Sequence, residues 1–593
     1  MNLQATRVWF ASVLVLLVAG MSLAETPQVD DAMYLDPEYQ EVPIVPRYDP
    51  GLKTAWLKAL QRPEAELKRQ AADTIVIAKQ RGMKDLEDTS DVLVAVLKAS
   101  NGEQSVQRAI AHALVELDAR DTAELLFEQS QTNGIGLALV IEPTLGRWGH
   151  QPTLEVWRKR LQEPDTPRAK LVLAINGLGA ATDQGASEGL QELVADQLAQ
   201  SSIRLSAARA LAQIQDDGLV ALSRQLVTAH DPSTLLNQLL AASLLVRHDD
   251  SEAIAVLQEL AVEIQPVVVA KAMGRLLEID PKLVFDLAPQ AIQSPDAQVR
   301  YIGANGLFEK ADTDAVRLLA PLVDDHNPGL RRSVASWLFE LAARDELHET
   351  VVAEMTKQLA GDEWRALEQA CLVLGALGHK AAAERLLELL ASESDEVAIS
   401  SAWALRRLKI PETLPRMLIR AKLVKDMFDG TVPHSEFPEP EGLSGQLSQL
   451  LQAFGEMRYM EADALLKSLV PKKFIYGGEE QLTADPRAAA IWSLGYLYEG
   501  QAPEALSKQI VARLTDEDIL VPEWVNVRRQ AGVTLGRMQS KAFLGELRAM
   551  AGGSYIGQAC HWAIQRITGE PIPPVLPQEV DQVNWFVVPR ATE

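Results

Sequence analysis

The residues of this chain best suited to chemistry are three groups in which a histidine stands beside carboxylates. They are His230-Asp231, His248-Asp249-Asp250 and Asp324-Asp325-His326. Such side chains bind a metal ion where several of them converge. Each group falls at a predicted turn between helices, however, where Asp and His are common as capping and solvated residues. We therefore predict no metal site.

Motifs of the common enzyme classes are missing from the sequence. It contains no G-x-x-x-x-G-K-S/T, H-E-x-x-H, C-x-x-C or G-x-S-x-G, which bind nucleotides or metals or position a nucleophile. Gly177 and Gly179 resemble the start of a dinucleotide-binding loop, but Thr182 replaces the third glycine, so helix capping is the expected role. Cys371 and Cys560 lie on apolar faces of predicted helices and are expected to be small buried residues. The sequence thus predicts neither an enzyme nor a cofactor.

Composition and charge narrow the possible partners. The 593-residue chain carries 57 Lys and Arg residues against 81 Asp and Glu residues, a net charge of −24. Such an acidic chain repels phosphate backbones, so we expect no nucleic-acid partner. Its two cysteines exclude a disulfide-stabilised scaffold. With 47% hydrophobic residues the chain can bury a large core.

The first 24 residues have the pattern of a secretory signal peptide. Arg7 precedes an apolar stretch of thirteen residues, 8–20, which is shorter than the roughly 20 residues needed to span a bilayer. Small residues at positions 22 and 24 predict cleavage after Ala24. We therefore expect a periplasmic or secreted protein with no stable membrane span after cleavage.

Proline density separates the start of the mature chain from the rest. Residues 25–50 contain five prolines among acidic and aromatic residues, which predicts an extended arm or tether. From residue 51 onwards Ala and Leu recur at helical spacing instead. The helical part of the chain is therefore expected to begin near residue 51.

A short pattern repeats along this helical part with a mean period of about 35 residues. A basic or polar anchor residue is followed four positions later by a small residue, and three positions after that by an apolar one. Arg300, Ala304 and Leu307 show it, and Asp296 is placed to cap their helix. One pair of helices cannot bury both of its apolar stripes, whereas stacked pairs can. Each repeat is therefore predicted to be a helix pair in a stack.

These residues resemble the HEAT-like repeat family, whose two-helix unit is also found in subunits of phycobilin lyases. A typical unit has Asp in the turn, Val-Arg at the start of the second helix and then a small residue, as in Asp296, Val299, Arg300 and Ala304. The resemblance covers about residues 51–569 and leaves 570–593 as a Pro-rich tail. It implies an all-α fold, a right-handed solenoid of about 14–15 helix pairs whose second helices line a concave face. It implies binding more often than chemistry.

The last third of the chain differs from the rest. Fifteen of the 31 Phe, Tyr and Trp residues lie at or beyond position 425, and longer repeat spacings predict insertions at 425–445 and 471–485. Insertions in a solenoid often form a binding surface, although these aromatic side chains could instead pack the loops onto the stack. The anchor positions and the insertions together give the candidate partner-binding residues Tyr301, Asn305, Trp403, Trp492, Tyr496, Phe428, Phe437, Phe474 and Tyr476.

We therefore expect an exported, non-enzymatic scaffold that holds a protein or peptide partner on the concave face, with aromatic anchors. Two alternatives stay open. One is a lyase-like or other ligand-handling repeat protein, against which the export signal argues; the other is a carbohydrate-binding solenoid, which Trp and Tyr side chains would also serve. A nucleic-acid binder of the HEAT-like glycosylase kind would need a basic groove, which the net charge disfavours. The sequence identifies neither the partner nor the oligomeric state.

Overall fold

The computed structural model describes residues 27–38, 43–100, 102–228, 234–428, 440–472, 484–574 and 576–581. They divide into two compact units. Unit 1 is built on Ile44–Leu287 and also includes residues 579–581, and unit 2 is built on Ala288–Gln578 together with residues 27–38 and 43. In these ranges no helix combines the length and the apolar character needed to cross a membrane.

The described helices of unit 1 form seven consecutive pairs. These are α2 (Leu52–Leu60) with α3 (Ala65–Gln80), α4 (Ser90–Ala99) with α5 (Gln104–Glu116), α6 (Ala123–Thr132) with α7 (Ile135–Arg147), α8 (Gln151–Gln162) with α9 (Arg168–Ala180), α10 (Ser187–Ala195) with α11 (Ser201–Ile214), α12 (Val220–Thr228) with α13 (Thr234–Leu244), and α14 (Ser251–Leu260) with α15 (Pro266–Ile279). The second helices of successive pairs pack against one another along the unit.

Unit 2 contains eight further pairs in its described residues and one separate helical turn, α1 (Ala32–Leu35). The pairs are α16 (Ala288–Ala291) with α17 (Ala297–Lys310), α18 (Thr313–Leu319) with α19 (Pro328–Leu341), α20 (Asp345–Leu359) with α21 (Trp364–Ala376), α22 (Ala383–Leu389) with α23 (Asp395–Leu408), α24 (Leu414–Phe428) with α25 (Pro440–Glu456), α26 (Asp463–Ser468) with α27 (Ala484–Leu497), α28 (Glu504–Leu514) with α29 (Val525–Arg537), and α30 (Leu544–Met550) with α31 (Tyr555–Thr568). Here too the second helices stack in order. The predicted repeat of helix pairs is confirmed.

Strand in the described part of the chain is limited to one two-stranded sheet, β1 (Ile44–Arg47) with β2 (Gln578–Asp581). It joins the predicted arm to the predicted tail. Arg47 forms an ion pair with Asp581, and both side chains are exposed. The sequence pattern did not predict this pairing, because each strand is only four residues long and its residues show no alternation of apolar and polar side chains.

Small residues allow the second helices to approach closely. A Cβ atom placed on Gly375 would lie 2.8 Å from the Cβ of Ala404, on the next second helix. In unit 1, a Cβ on Gly177 would lie 2.3 Å from the Trp157 ring and one on Gly179 would lie 2.8 Å from the Cβ of Ala210. Gly177 and Gly179 are therefore packing residues inside α9, and the expected role in helix capping is wrong.

The anchor arginines of the repeat hold the two helices of a pair together. Arg204 in α11 donates to the carbonyl oxygen of Val194 at 2.9 Å, and Arg528 in α29 donates to that of Leu514 at 2.9 Å. Both carbonyls lie in the last turn of the preceding helix, where no partner exists within the helix and a cation is favoured. In these two pairs the anchor arginine thus caps the first helix.

The turns between the two helices of a pair are fixed by caps and ion pairs. The Asp296 carboxylate accepts hydrogen bonds from the amides of Gln298 at 2.8 Å and Val299 at 3.1 Å, so the predicted cap is confirmed. Arg300 donates to both carboxylate oxygens of Asp325, at 2.6 and 2.8 Å. Asp325, one of the candidate metal ligands, therefore joins α17 to the turn within the next pair.

Candidate functional site: a groove that holds the amino-terminal arm

A network of polar contacts lies where residues 27–38, the described first part of the predicted arm 25–50, cross the second helices of unit 2. From here on, residues 27–38 are called the arm. Because its residues 32–35 form the helical turn α1, the prediction of an extended chain is wrong there. The surface under it, called the groove, is formed by side chains of α23, α25, α27 and α29: Trp403, Arg406, Gln449, Gln452, Trp492, Tyr496, Arg529, Gln530 and Arg537. The arm and these helices are far apart in sequence but belong to the same compact unit.

At one end of the groove, Asp30 of the arm is held by two side chains of α23. The indole nitrogen of Trp403 donates to its carboxylate at 2.7 Å. Arg406 donates to its main-chain carbonyl at 2.8 Å and also pairs with its carboxylate. The Arg406 side chain is 2% exposed and also lies 3.2 Å from Glu456. A guanidinium this deeply buried needs such carboxylates to offset its lost hydration.

In the middle of the arm, both the main-chain amide and the main-chain carbonyl of Met33 form hydrogen bonds with the groove. Its amide donates to the side-chain oxygen of Gln452 at 3.0 Å. Its carbonyl accepts from Arg529 at 2.8 Å and from Gln530 at 2.5 Å. The Met33 side chain is fully buried in the apolar core of unit 2. This residue is therefore the point at which the arm is most completely enclosed.

Asp31, beside Met33, is bonded to two glutamines of α25. Gln449 donates to its carboxylate at 2.9 Å and Gln452 at 2.7 Å. Burial raises the pKa of Asp31 above its usual value, although the bond from Gln452 acts in the opposite direction. The groove thus holds this carboxylate with neutral amides rather than with a directly bonded cation.

At the other end of the groove, Asp36 is held by an arginine and a tyrosine. Its carboxylate accepts from Tyr496 on α27 and from Arg537 on α29. The guanidinium carbon of Arg537 lies 4.0 Å from the centre of the Tyr496 ring, a cation–π contact. Burial, followed by the hydrogen bond to Asp36, raises the pKa of Tyr496, so the phenol stays a donor at every physiological pH.

Tyr34 completes the far end of the contact. Its hydroxyl donates to Asp485, and the side-chain amide of Asn526 donates to the Tyr34 oxygen at 2.7 Å. Burial and the bond to Asp485 raise the pKa of Tyr34 above 10. Asn526 also donates to Asp485 at 2.8 Å, so each of these three side chains is hydrogen-bonded to the other two.

A cavity of about 640 Å³ remains beside the docked arm. It lies between Asp36 of the arm and the second helices, and its lining includes Arg406, Glu456, Trp492 and Tyr496. The Trp492 ring packs edge-on against that of Tyr496, with 4.7 Å between centres. The arm therefore does not fill the space over the aromatic pair.

Three of the candidate partner-binding residues come together in the groove. Trp403 and Tyr496 bond to the arm, and Trp492 lines the cavity beside it. Trp403 is only 3% exposed and Trp492 only 1%, because core residues enclose the rings and the arm lies over Trp403. Whether they contact a partner stays a prediction.

The other candidates lie elsewhere. Tyr301 and Asn305 are half-buried on α17, where the Tyr301 ring contacts that of Trp337 at 5.5 Å between centres. Phe428 was predicted in an insertion, but α24 continues through residue 428 and this side chain is 8% exposed, so it is a core residue. The buried apolar residues of α24 recur at helical spacing up to Phe428. This spacing predicts that the helix continues to residue 428, ahead of the insertion.

Parts of the two predicted insertions, 425–445 and 471–485, lie outside the described residues, and so do the candidates Phe437, Phe474 and Tyr476. Within the described part, 425–428 and 440–445 are helical, which shortens the first insertion.

The polar side chains that bond to the arm were missed. A signal for them exists in α25, where Gln446, Gln449 and Gln452 recur every third residue on a helix whose other residues are largely apolar. Uncharged polar side chains in a row on one buried helix face require partners. Gln446 bonds within the stack, to the carbonyl of Leu390 at 2.7 Å, whereas the other two bond to the arm.

The histidine groups and the cysteines have structural roles where they are described. Asp250 caps α14, and His248 accepts a hydrogen bond from the Leu219 amide at 3.3 Å. Cys371 and Cys560 are buried, as predicted, and burial raises the pKa of each thiol to about 12. The group at 230–231 lies outside the described residues. Among the described residues, no three His, Cys, Asp or Glu side chains are grouped to hold a metal ion.

No protein-family model and no curated protein matches this chain. It is similar in structure to Kap95p, solved in a study of how Kap95p binding affects RanGDP, with a TM-score of 0.51, 13% identity, and 87% of this chain and 72% of that chain covered. It is also similar to importin beta crystallised in a polyethylene glycol condition, with a TM-score of 0.50, 13% identity, and 87% and 81% covered. Identity this low shows the fold alone, and the chain has the fold of a HEAT-repeat α-solenoid.

Proposed function

We propose that this chain is an exported, non-enzymatic scaffold that holds a short segment of a protein partner in the groove of unit 2. The observation that carries the proposal is the arm itself, a segment with one helical turn at its centre, already bound there through side chains of three second helices. A surface that binds one such segment has the chemistry to bind another.

The bonds to the main chain are what make the groove suited to a peptide. Arg406 and Gln449 bond to the carbonyl of Asp30, and Arg529 bonds to the carbonyl of Met33. Every protein segment offers such carbonyls and amides. Main-chain bonds supply affinity in peptide recognition, and side-chain pockets add specificity.

The comparison of folds supports a protein ligand rather than a small molecule. Kap95p, which has a similar fold, binds RanGDP. The cavity beside the arm is open to the arm and lined by charged side chains, unlike the enclosed apolar pockets that bind most small ligands.

Export is supported by the pattern of the first 24 residues. Cleavage after Ala24 would place the mature amino terminus directly before the arm. Amino-terminal sequencing of the mature protein tests this point, with Glu25 as the expected first residue. A product that begins at Met1 or Asn2 and stays with the membrane would contradict export.

The experiment that tests the groove is affinity capture from the extracytoplasmic fraction with paired variants of the full chain. The Gln449→Ala, Gln452→Ala variant removes the four hydrogen bonds that these side chains make with the arm, and alanine keeps the helix stable. The control, Gln290→Ala with Gln293→Ala, makes the same change at exposed positions of unit 2. We expect a protein that co-elutes with the parent and the control but is depleted at least about tenfold with the groove variant, since each lost bond costs about 1 kcal/mol. Equal capture by all three chains would refute a groove-bound partner.

A further inference from the structure

We propose that the arm is an intramolecular substitute for the partner, and that the partner supplies an acidic segment with an apolar residue between two carboxylates. This inference rests on the proposed function and names the class of ligand. In the arm the pattern is Asp30, Met33 and Asp36, within the sequence Asp-Asp-Ala-Met-Tyr-Leu-Asp.

The positive charge of the groove is the first reason to expect an acidic ligand. Although the chain has a net charge of −24, Arg406, Arg529 and Arg537 converge on the arm, and all three are buried. The carboxylates of Asp30 and Asp36, six positions apart, pair with the outer two of these arginines. Buried cations require carboxylates, so a segment with acidic residues at this spacing is favoured over a neutral or basic one.

The acidic residues of the groove itself do not reverse this preference. Glu456 lies 2.8 Å from Lys409 and 3.2 Å from Arg406. Asp485 accepts hydrogen bonds from Asn526 and from Tyr34 of the arm. Both carboxylates thus have partners in the docked state.

The burial of Met33, which lies between the two carboxylates, is the reason to expect an apolar residue at the centre of the ligand. Met33 is fully buried and belongs to the core of unit 2. A flexible thioether side chain fills an irregular pocket well, and a fully enclosed central residue surrounded by polar contacts is the usual arrangement of a binding hot spot. The pocket therefore accepts an unbranched apolar side chain at the centre of the ligand.

The arm leaves some polar atoms of the groove without hydrogen-bond partners, which is the reason to expect that another segment can fit better. Five buried polar atoms on residues that contact the arm or line the adjacent cavity have no hydrogen-bond partner in the described structure: Arg406 Nε, Gln449 Oε1, Trp492 Nε1, Gln530 Oε1 and Arg537 Nη1. Buried polar atoms normally have partners. Together with the cavity of about 640 Å³, they give a better-fitting segment bonds that the arm does not make.

Because the arm is part of the same chain, it competes at an effective concentration that does not change when the protein is diluted. A ligand that needs the open groove therefore binds with an apparent affinity reduced by the fraction of chains in which the arm is undocked. Weakening the arm, without altering the groove, should strengthen binding in trans.

The test uses a fluorescent synthetic peptide of residues 27–38 titrated with the full chain by anisotropy. Met33→Lys in the chain undocks the arm and leaves the groove unchanged. Val29→Lys, at an exposed position of the arm, is the matched control. We expect the peptide to bind the Met33→Lys chain at least about tenfold more tightly than the parent or the control. A peptide with Asp30→Asn and Asp36→Asn should bind about tenfold more weakly.

Equal peptide affinity for the parent and Met33→Lys chains, or no binding to the variant, would overturn the inference. Circular dichroism checks that the variant is folded, and if it is not, a chain with Asp30→Asn and Asp36→Asn takes its place. The two proposals fail separately. Peptide binding without any captured protein would refute the proposed function, whereas a partner captured equally by the parent and Met33→Lys chains would refute competition by the arm.

Discussion

Replacing Asp36 by Asn tests whether the arm docks and undocks as a unit of its own. The substitution keeps the shape and one acceptor oxygen but removes the charge that pairs with Arg537. Hydrogen bonds to charged groups contribute about 1.5–3 kcal/mol and neutral ones about 0.5–1.5 kcal/mol. Because the Asp36 side chain is 39% exposed, we take the lower end of the difference, about 1 kcal/mol. The ratio of docked to undocked arm should then fall about fivefold.

Hydrogen exchange at the Met33 amide measures this ratio directly. The amide is buried and donates to Gln452 at 3.0 Å, so it exchanges only when the arm leaves the groove or the unit unfolds. We expect its exchange to become about fivefold faster in the Asp36→Asn chain, while amides in the core of unit 2 keep their rates. Glu38→Gln is the control, since it makes the same change of charge at an exposed position of the arm.

Two outcomes would refute the reasoning. An unchanged rate at Met33 would show that the pair of Asp36 and Arg537 contributes nothing to docking. A matching acceleration across the helices of unit 2 would show that the arm opens only with global unfolding, which would also remove the basis for competition with a partner.

Two further predictions concern the stack of helices. The bonds from Arg300 and from the Asn327 amide outweigh the effect of burial and lower the pKa of Asp325 below its usual value. Its stabilising contribution is therefore complete above about pH 5, roughly one unit above the usual aspartate pKa, and is lost as the pH falls through the lowered pKa. Asp325→Asn should therefore cost about 2 kcal/mol at pH 7 and flatten the acid limb of a plot of melting temperature against pH; an unchanged limb would contradict this. Gly177→Ala would place a Cβ atom 2.3 Å from the Trp157 ring and should destabilise unit 1 by about 1–3 kcal/mol in urea titrations. Gly136→Ala, where no atom lies within 4 Å, should instead be neutral or stabilising, and equal effects of the two would refute the packing argument.

The fold could be predicted because each repeat carries its own information. Arg300 and Ala304 stand one helical turn apart in sequence, and the cap at Asp296 acts within three residues. Such local constraints recur in every unit of a solenoid, since a repeat contacts mainly its neighbours. The spacing therefore revealed the helix pairs without knowledge of any long-range contact.

The same reasoning located only part of the candidate site. Counting from the repeat anchors placed Trp403 and Trp492 on second helices that form the groove, and the structure places both there. It could not place the arm, because Met33 and Gln452 are 419 residues apart and no periodic pattern links them. The five prolines of residues 25–50 predict an extended chain. They show neither the helical turn at residues 32–35 nor what the arm binds.

The polar residues of the groove explain why the arm lies against the helices. Gln530 donates to the carbonyl of Met33, and a buried donor left without an acceptor costs about 1–3 kcal/mol. Arg529 donates to the same carbonyl. The carboxylates of Asp30 and Asp36 similarly offset the buried guanidinium groups of Arg406 and Arg537. The need of these side chains for partners therefore favours an occupied groove, filled either by the arm or, as we propose, by an acidic segment of another protein.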